Sequence, residues 1–198
     1  MARTIAKDHD EKRIKILKTA ARVFAEEGFS RASMSQVARD CQISKANIYH
    51  YYDSKHALLF DILDSYLREL RDQMSALALD DLVPEERLRR VVTEILTLYE
   101  GMDDEHKIQT EGIQLLAPQQ QMILRGYQRE LVDQVSGILG EIAPESFADD
   151  KKKLRAATMS VFGMLNWFYM WNSRADRSAR KAYANMVTDL TLNGIGGL

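Results

Sequence analysis

Apolar residues recur at helical spacing along nearly the whole chain. Ile14, Leu17, Ala20, Ala21 and Phe24 form a stripe that stops at Gly28, a residue suited to the left-handed position after a helix. Ser33-Met34-Ser35-Gln36 has the pattern of a capping box and predicts a short helix to about Asp40. Ser44 predicts a cap for a second short helix over 45–51. Ser54 does the same for a long helix carrying Leu59, Ile62, Leu63, Tyr66, Leu70 and Met74 and ending near Leu79. Pro84 suits the first turn of a helix to about Glu100. A weaker helix over 103–116 follows, and Pro118 opens another to about Gly140. Pro144 and Asp149-Asp150 lead into a strongly apolar helix over 151–172, and a last helix spans 177–193. No alternating strand pattern of useful length, internal repeat or low-complexity linker stands out. The expected fold class is all-α with about nine helices, divided into residues 1–54 and 55–198.

The two short helices near the amino terminus are too small to be stable alone. Val37, Ala38, Ile43 and Ile48 would pack them on the first helix, and the turn Cys41-Gln42-Ile43-Ser44 joins them. Three helices joined in this way make a helix-turn-helix unit. Its second short helix projects Lys45, Asn47, Tyr49 and His50, a set rich in hydrogen-bonding groups and poor in carboxylates. Such a surface suits the base edges and phosphates of a major groove. Charge agrees. The formal net charge of −2 conceals a balance of +4 over residues 1–60 and −6 over the rest, so the basic end suits an anionic partner.

Composition narrows the field further. A single cysteine, Cys41, excludes an internal disulfide framework and a cysteine-based zinc finger, and it fits a reducing cytoplasm. The amino terminus has no signal-peptide core, and there is no apolar run of about 18 residues, so no membrane partner is expected. His9, His50, His56 and His106 lack metal-ligand spacing, and no glycine-rich phosphate loop follows a strand. Neither a metal, a cofactor nor a catalytic constellation is expected. The competing classes are an all-α enzyme and a helical interaction protein that does not bind DNA.

The stretch from Ile16 to Phe29 resembles the opening helix of the tetracycline-repressor (TetR) family. The likeness continues through Ser33–Ala38, Ile43–Tyr52, Lys55 and Leu58-Leu59, with the spacing kept over about 45 positions. It implies a dimeric one-component repressor with an amino-terminal DNA-binding domain and a carboxy-terminal ligand-binding and dimerisation domain. Carried over position by position, the resemblance implies DNA contacts at Ser33, Ser35, Ser44, Lys45, Asn47, Tyr49, His50, Tyr51 and Lys55. Lys55 also draws attention on physical grounds, because a lysine in the first turn of a helix opposes the macrodipole and a bound phosphate would explain it. Arg3 and Lys7 read as a frayed basic tail. Gln42, Asn47 and Tyr52 stand where glycine, threonine or serine, and phenylalanine are commoner in the family, and the first two bear on turn geometry and base choice.

The carboxy-terminal pattern suggests an effector and a dimer. Helix 151–172 is apolar in all directions and must be covered on more than one face. In the family the last two helices commonly form the dimer, which here points to Gly163, Tyr183, Met186, Val187 and Leu190, beside Ala179. An effector pocket is expected from Leu96, Tyr99, Ile113, Leu116, Ile123, Tyr127, Phe162, Asn166, Trp167 and Met170, aromatics with a few polar tips. Gly163-Met164-Leu165-Asn166-Trp167 resembles a segment of members that answer to acyl-CoA thioesters, with Arg125 and Arg129 as cations for CoA phosphates. The expected partners are therefore double-stranded operator DNA, a second copy of the chain, and a small apolar effector. An acyl-CoA or aryl-acyl-CoA leads for the effector, and a CoA-free aromatic acid or drug-like cation is the alternative.

Overall fold

The computed structural model describes residues 2–194, and among these there are ten α-helices and no strand. In chain order they are α1 (Ala2–Glu27), α2 (Met34–Asp40), α3 (Lys45–Tyr51), α4 (Lys55–Ser75) and α5 (Pro84–Leu98). There follow α6 (Asp103–Gly112), a 3-10 turn (Ile113–Leu115), α7 (Pro118–Ile142), α8 (Pro144–Phe147), α9 (Lys151–Trp171) and α10 (Arg177–Asn193). The all-α expectation holds. The count rises from about nine to ten because α8 is a single turn opened by Pro144, too short to carry a periodic stripe.

Local chemistry sets most boundaries. Ser33 Oγ accepts from the Gln36 N–H, Ser44 Oγ from Asn47 N–H and Ser54 Oγ from Ala57 N–H, so each serine satisfies an orphan donor at a helix start. Asp150 and Asp176 do the same for α9 and α10. Gly28 ends α1 at φ +80°, where a side chain would be strained. The frayed tail expected at Arg3 and Lys7 is instead helical backbone, since no glycine or proline interrupts residues 2–27; their side chains lie outside the described set. Helix α4 ends at Ser75 rather than near Leu79, and α6 tightens into the 3-10 turn instead of running to 116.

The chain forms two compact units. The first comprises residues up to 67 together with 104–124, and the second 68–103 together with 125 onward. Helices α4 and α7 each begin in the first unit and end in the second.

In the first unit, Ile16, Ala20, Ala21, Val23 and Phe24 of α1 are buried with Val37, Ala38 and Cys41 and with Ile48 of α3. Leu58, Leu59, Ile62 and Leu63 of α4 join this core, and Gly112 of α6 lies close to Leu59 and Leu63. Glu105 pairs with Lys18 of α1, and Tyr66 shares a hydrogen bond with the buried His106. Helix α6 is thereby tied to both α1 and α4.

In the second unit, α5 and α10 pack along each other, and α9 lies against both. Leu88, Val91, Val92, Ile95 and Leu96 meet a core completed by Val161, Phe162, Leu165, Phe168, Ala184 and Val187. Arg180 is fully buried there. Its guanidinium donates to Asp103 and to the Ala175 carbonyl and lies over the Phe168 ring, so the charge is paired rather than stranded.

Candidate functional site

Helix α3 is held by one buried residue, Ile48, and shows most of its remaining surface to solvent. Lys45, Asn47, Tyr49 and His50 are all exposed, as are Ser33, Ser35 and Ser44 at and beside the helix starts. The hydroxyls of Ser33 and Ser44 are used as acceptors by their caps and keep an O–H to donate, the direction a phosphate oxygen requires. No side-chain carboxylate sits on α3. The face therefore presents donors, amides and aromatics with no charge to repel DNA.

Tyr51 is half-buried. His9 of α1 stacks on its ring at 4.8 Å, and His50 meets it edge-on at 5.9 Å. Sequence reasoning missed His9, since nothing local signals a contact across forty residues.

Another arrangement it missed pins the end of α3. The Tyr52 hydroxyl donates to Asp61 Oδ2, and Arg13 donates to both Asp61 oxygens and to Ser65. Burial, and then the bond to Asp61, raises the Tyr52 phenol well above its ordinary range, so it stays a proton donor. Tyr52, the residue capping α3 at its carboxy end, is thus tied to α1 and α4 together.

Lys55 departs from the phosphate expectation. Its ammonium donates to the carbonyls of Phe29, Ser30 and Ala32 and lies 4.5 Å from the Phe29 ring centre. Three donors meet three acceptors, so the loop between α1 and α2 accounts for a lysine placed against the helix dipole.

The residues expected to line an effector pocket are divided. Leu96 and Phe162 are buried in the second unit, and Tyr99, also buried, donates its hydroxyl to Asn166 Oδ1 at 3.0 Å. Burial raises the Tyr99 phenol, which keeps it a donor. Tyr127 is half-exposed beneath the Arg71 guanidinium. Ile113 and Leu116 are buried in the first unit, where Ile123 is exposed.

Trp167 and Met170 do not face the interior, being 62 % and 53 % exposed. The helical period explains this. Val161, Phe162, Leu165 and Phe168 point inward, leaving Met159, Gly163, Trp167, Met170 and Trp171 outward.

The structure adds Thr97 on α5, whose hydroxyl is buried with no hydrogen-bond partner among the described residues. Burial of a hydroxyl is invisible in sequence, so nothing in the pattern could have found it.

Of the residues expected at a dimer interface, Gly163 is exposed with nothing within 4 Å of where a Cβ would stand, and Met186 is exposed. Tyr183 is half-buried, stacked on Phe168 and bonded to the Met164 carbonyl; Leu190 and Ala179 are also half-buried. Val187 is fully buried within its own chain, because α10 turns Ala184, Val187 and Thr188 inward. It is removed from the interface set. No group of three or more metal-ligating side chains stands together among the described residues, and no described helix is long and apolar enough to cross a membrane.

Comparison with known proteins agrees with this arrangement. Residues 16–62 match the bacterial regulatory proteins of the tetR family, and residues 81–195 match a tetracyclin repressor-like C-terminal domain. The HTH-type transcriptional repressor NicS of Pseudomonas putida is 28 % identical, covering 96 % of this chain and 95 % of its own length. A TetR-family regulator from Bordetella parapertussis superposes with a TM-score of 0.87 at 31 % identity, covering 94 % of this chain and 96 % of its own. FadR from Bacillus subtilis, solved with stearoyl-CoA, shares the fold at a TM-score of 0.68 and 18 % identity, covering 92 % and 98 %. With both its halves matched, this chain belongs to the TetR family and is a DNA-binding transcriptional repressor, not an enzyme.

Proposed function

We propose that the chain acts as a homodimer that reads the two halves of a palindromic operator and is released by a small apolar effector. The observation that carries the reading is α3 itself: one buried anchor, with Lys45, Asn47, Tyr49 and His50 exposed beside it. Asn47 suits an adenine edge and Lys45 a guanine edge. Tyr49, His50, Tyr51 and the serines Ser33, Ser35 and Ser44 suit the backbone, which fixes register. Lys55 acts as an internal clamp that holds the α1–α2 loop.

The dimer forms through the outward face of α9 and α10, with Met159, Gly163, Trp167, Met170, Trp171 and Met186 as its apolar contacts. Support comes from their exposure on two helices that pack against each other, since large apolar side chains left in solvent together suit an interaction surface. The reading domain is taken to end at 54/55 in sequence, with the start of α4 packed into its core through Leu58, Leu59, Ile62 and Leu63, and work on an operator suits the cytoplasm.

For the effector we propose an acyl-CoA or aryl-acyl-CoA. Its acyl part would lie near Leu96, Tyr99 and Phe162 of the second unit, and its thioester carbonyl within reach of the Tyr99–Asn166 pair. The 163–167 resemblance supports this class. The Thr97 hydroxyl of the second unit, buried with no hydrogen-bond partner among the described residues, supports an effector with a polar group, because an unmade buried hydrogen bond is costly until something completes it. The effector releases DNA by binding the DNA-incompetent arrangement more tightly.

Selecting duplexes from random DNA and titrating the bound complex with phenylacetyl-CoA, octanoyl-CoA, stearoyl-CoA and their free acids tests both parts. A palindrome released by a thioester is expected. Failure to select any duplex contradicts the operator assignment, and release by a CoA-free molecule alone contradicts the thioester.

A further inference from the structure

The chain leaves α2 through a tight closure. The Gln42 N–H donates to the Arg39 carbonyl at 2.9 Å and the Ile43 N–H to the Ala38 carbonyl at 3.0 Å. This pair of bonds is the Schellman pattern, which requires a left-handed residue at position 42, and Gln42 has φ +61°. Glycine takes that conformation at no steric cost, and asparagine tolerates it through its short side chain. Glutamine has neither advantage. Where α1 ends in the left-handed region, the residue is glycine, Gly28.

Turn formation therefore does not account for the side chain at 42. That side chain is exposed, and its amide makes no hydrogen bond within the described residues. It stands two residues before Ser44, the cap of α3, on the corner that leads into the exposed set Lys45, Asn47, Tyr49 and His50. An amide at that corner offers two N–H donors, and contacts from such side chains to phosphate oxygens make up a large share of protein–DNA hydrogen bonds.

We infer that Gln42 is an operator contact: its side-chain amide donates to a backbone phosphate of the half-site and fixes how α3 enters the groove. The conformational cost at this position is then offset only when DNA is bound. A phosphate contact carries no sequence information, so its loss weakens all operators alike. The inference rests on the operator-binding reading above.

The test uses the full-length protein and a palindromic duplex selected by the wild type. Gln42→Gly relieves the backbone and removes the amide, so the unfolding midpoint should rise by about 2–4 °C while operator affinity falls by about three- to tenfold. Gln42→Glu keeps the side-chain length and the backbone cost but turns an acceptor toward phosphate. It should weaken binding further with the midpoint unchanged, which separates a lost contact from a loosened turn. Gln42→Lys should tighten binding and steepen the salt dependence by about one counterion. Wild-type affinity in Gln42→Gly overturns the inference whatever Gln42→Glu does, since a carboxylate repels phosphates without any specific contact, and it leaves the operator reading standing. A wild-type protein that selects no duplex overturns both.

Discussion

Helices α3 and α9 both leave a row of side chains uncovered, and the two rows differ in chemistry. On α3 the exposed groups are an ammonium, an amide, a phenol and an imidazole, from Lys45, Asn47, Tyr49 and His50. On α9 they are Met159, Trp167, Met170 and Trp171, with Gly163 among them. Water satisfies the first row at no cost, so its exposure in the free protein needs no partner. The second row is different. Each aromatic ring offers up to about 150–250 Å² for burial, and apolar area removed from water stabilises by roughly 25 cal/mol per Å². One row waits for a ligand that supplies specific acceptors, while the other gains from any well-fitting apolar surface, and a second copy supplies the same surface by symmetry.

The largest effect should come from placing a charge in the apolar row. Trp167→Asp would force a carboxylate to be desolvated between protomers, giving monomers in sedimentation and an operator affinity lower by about a hundredfold or more once two half-sites are no longer read together. Val187→Asp sharpens the contrast, because Val187 belongs to the protomer's own core and its variant should unfold rather than dissociate. A dimeric Trp167→Asp protein would put the interface elsewhere.

In the polar row, Asn47→Ala or Lys45→Ala should cost about 1–3 kcal/mol at the base each reads. The expected readout is a changed ranking of operators in competition binding. Tyr49→Phe should lower all of them alike.

Lys55→Ala should lower stability by about 1.5–3 kcal/mol, because charge-assisted bonds to three carbonyls are lost. Denaturant titration reads that, and the salt dependence of operator binding should be unchanged. A slope flattened by about one would return Lys55 to the phosphate contacts.

The smallest effect is expected at Thr97. Thr97→Val removes a buried hydroxyl that has no partner among the described residues, so the effector-free protein should gain about 1 kcal/mol in denaturant titration. Release of operator DNA by thioesters should weaken in the same variant.

The sequence was most legible where structure is set within a few residues. The caps at Ser33, Ser44 and Ser54 reach donors three positions on, so the short helices could be placed with little error. Contacts that cross the chain were hidden. Lys55 finds its acceptors some 25 residues away, and Arg13 meets Asp61 across 48 positions. Helix phase was the other gap. Met186 and Val187 are neighbours in a single apolar stripe, yet about 100° of rotation puts one in solvent and the other in the core. A helix apolar on every side, as α9 is, gives no polar face to fix that phase, which is why Trp167 and Met170 were expected to line a pocket.

One dimer is proposed to read two half-sites on one face of the duplex. The most direct measurement compares affinity for a selected palindrome with affinity for the same duplex carrying about five extra base pairs at its centre, which turns one half-site by half a helical turn. With a single dimer bridging both half-sites, the insertion should lower affinity to that of an isolated half-site. Equal affinity for the two duplexes would contradict it.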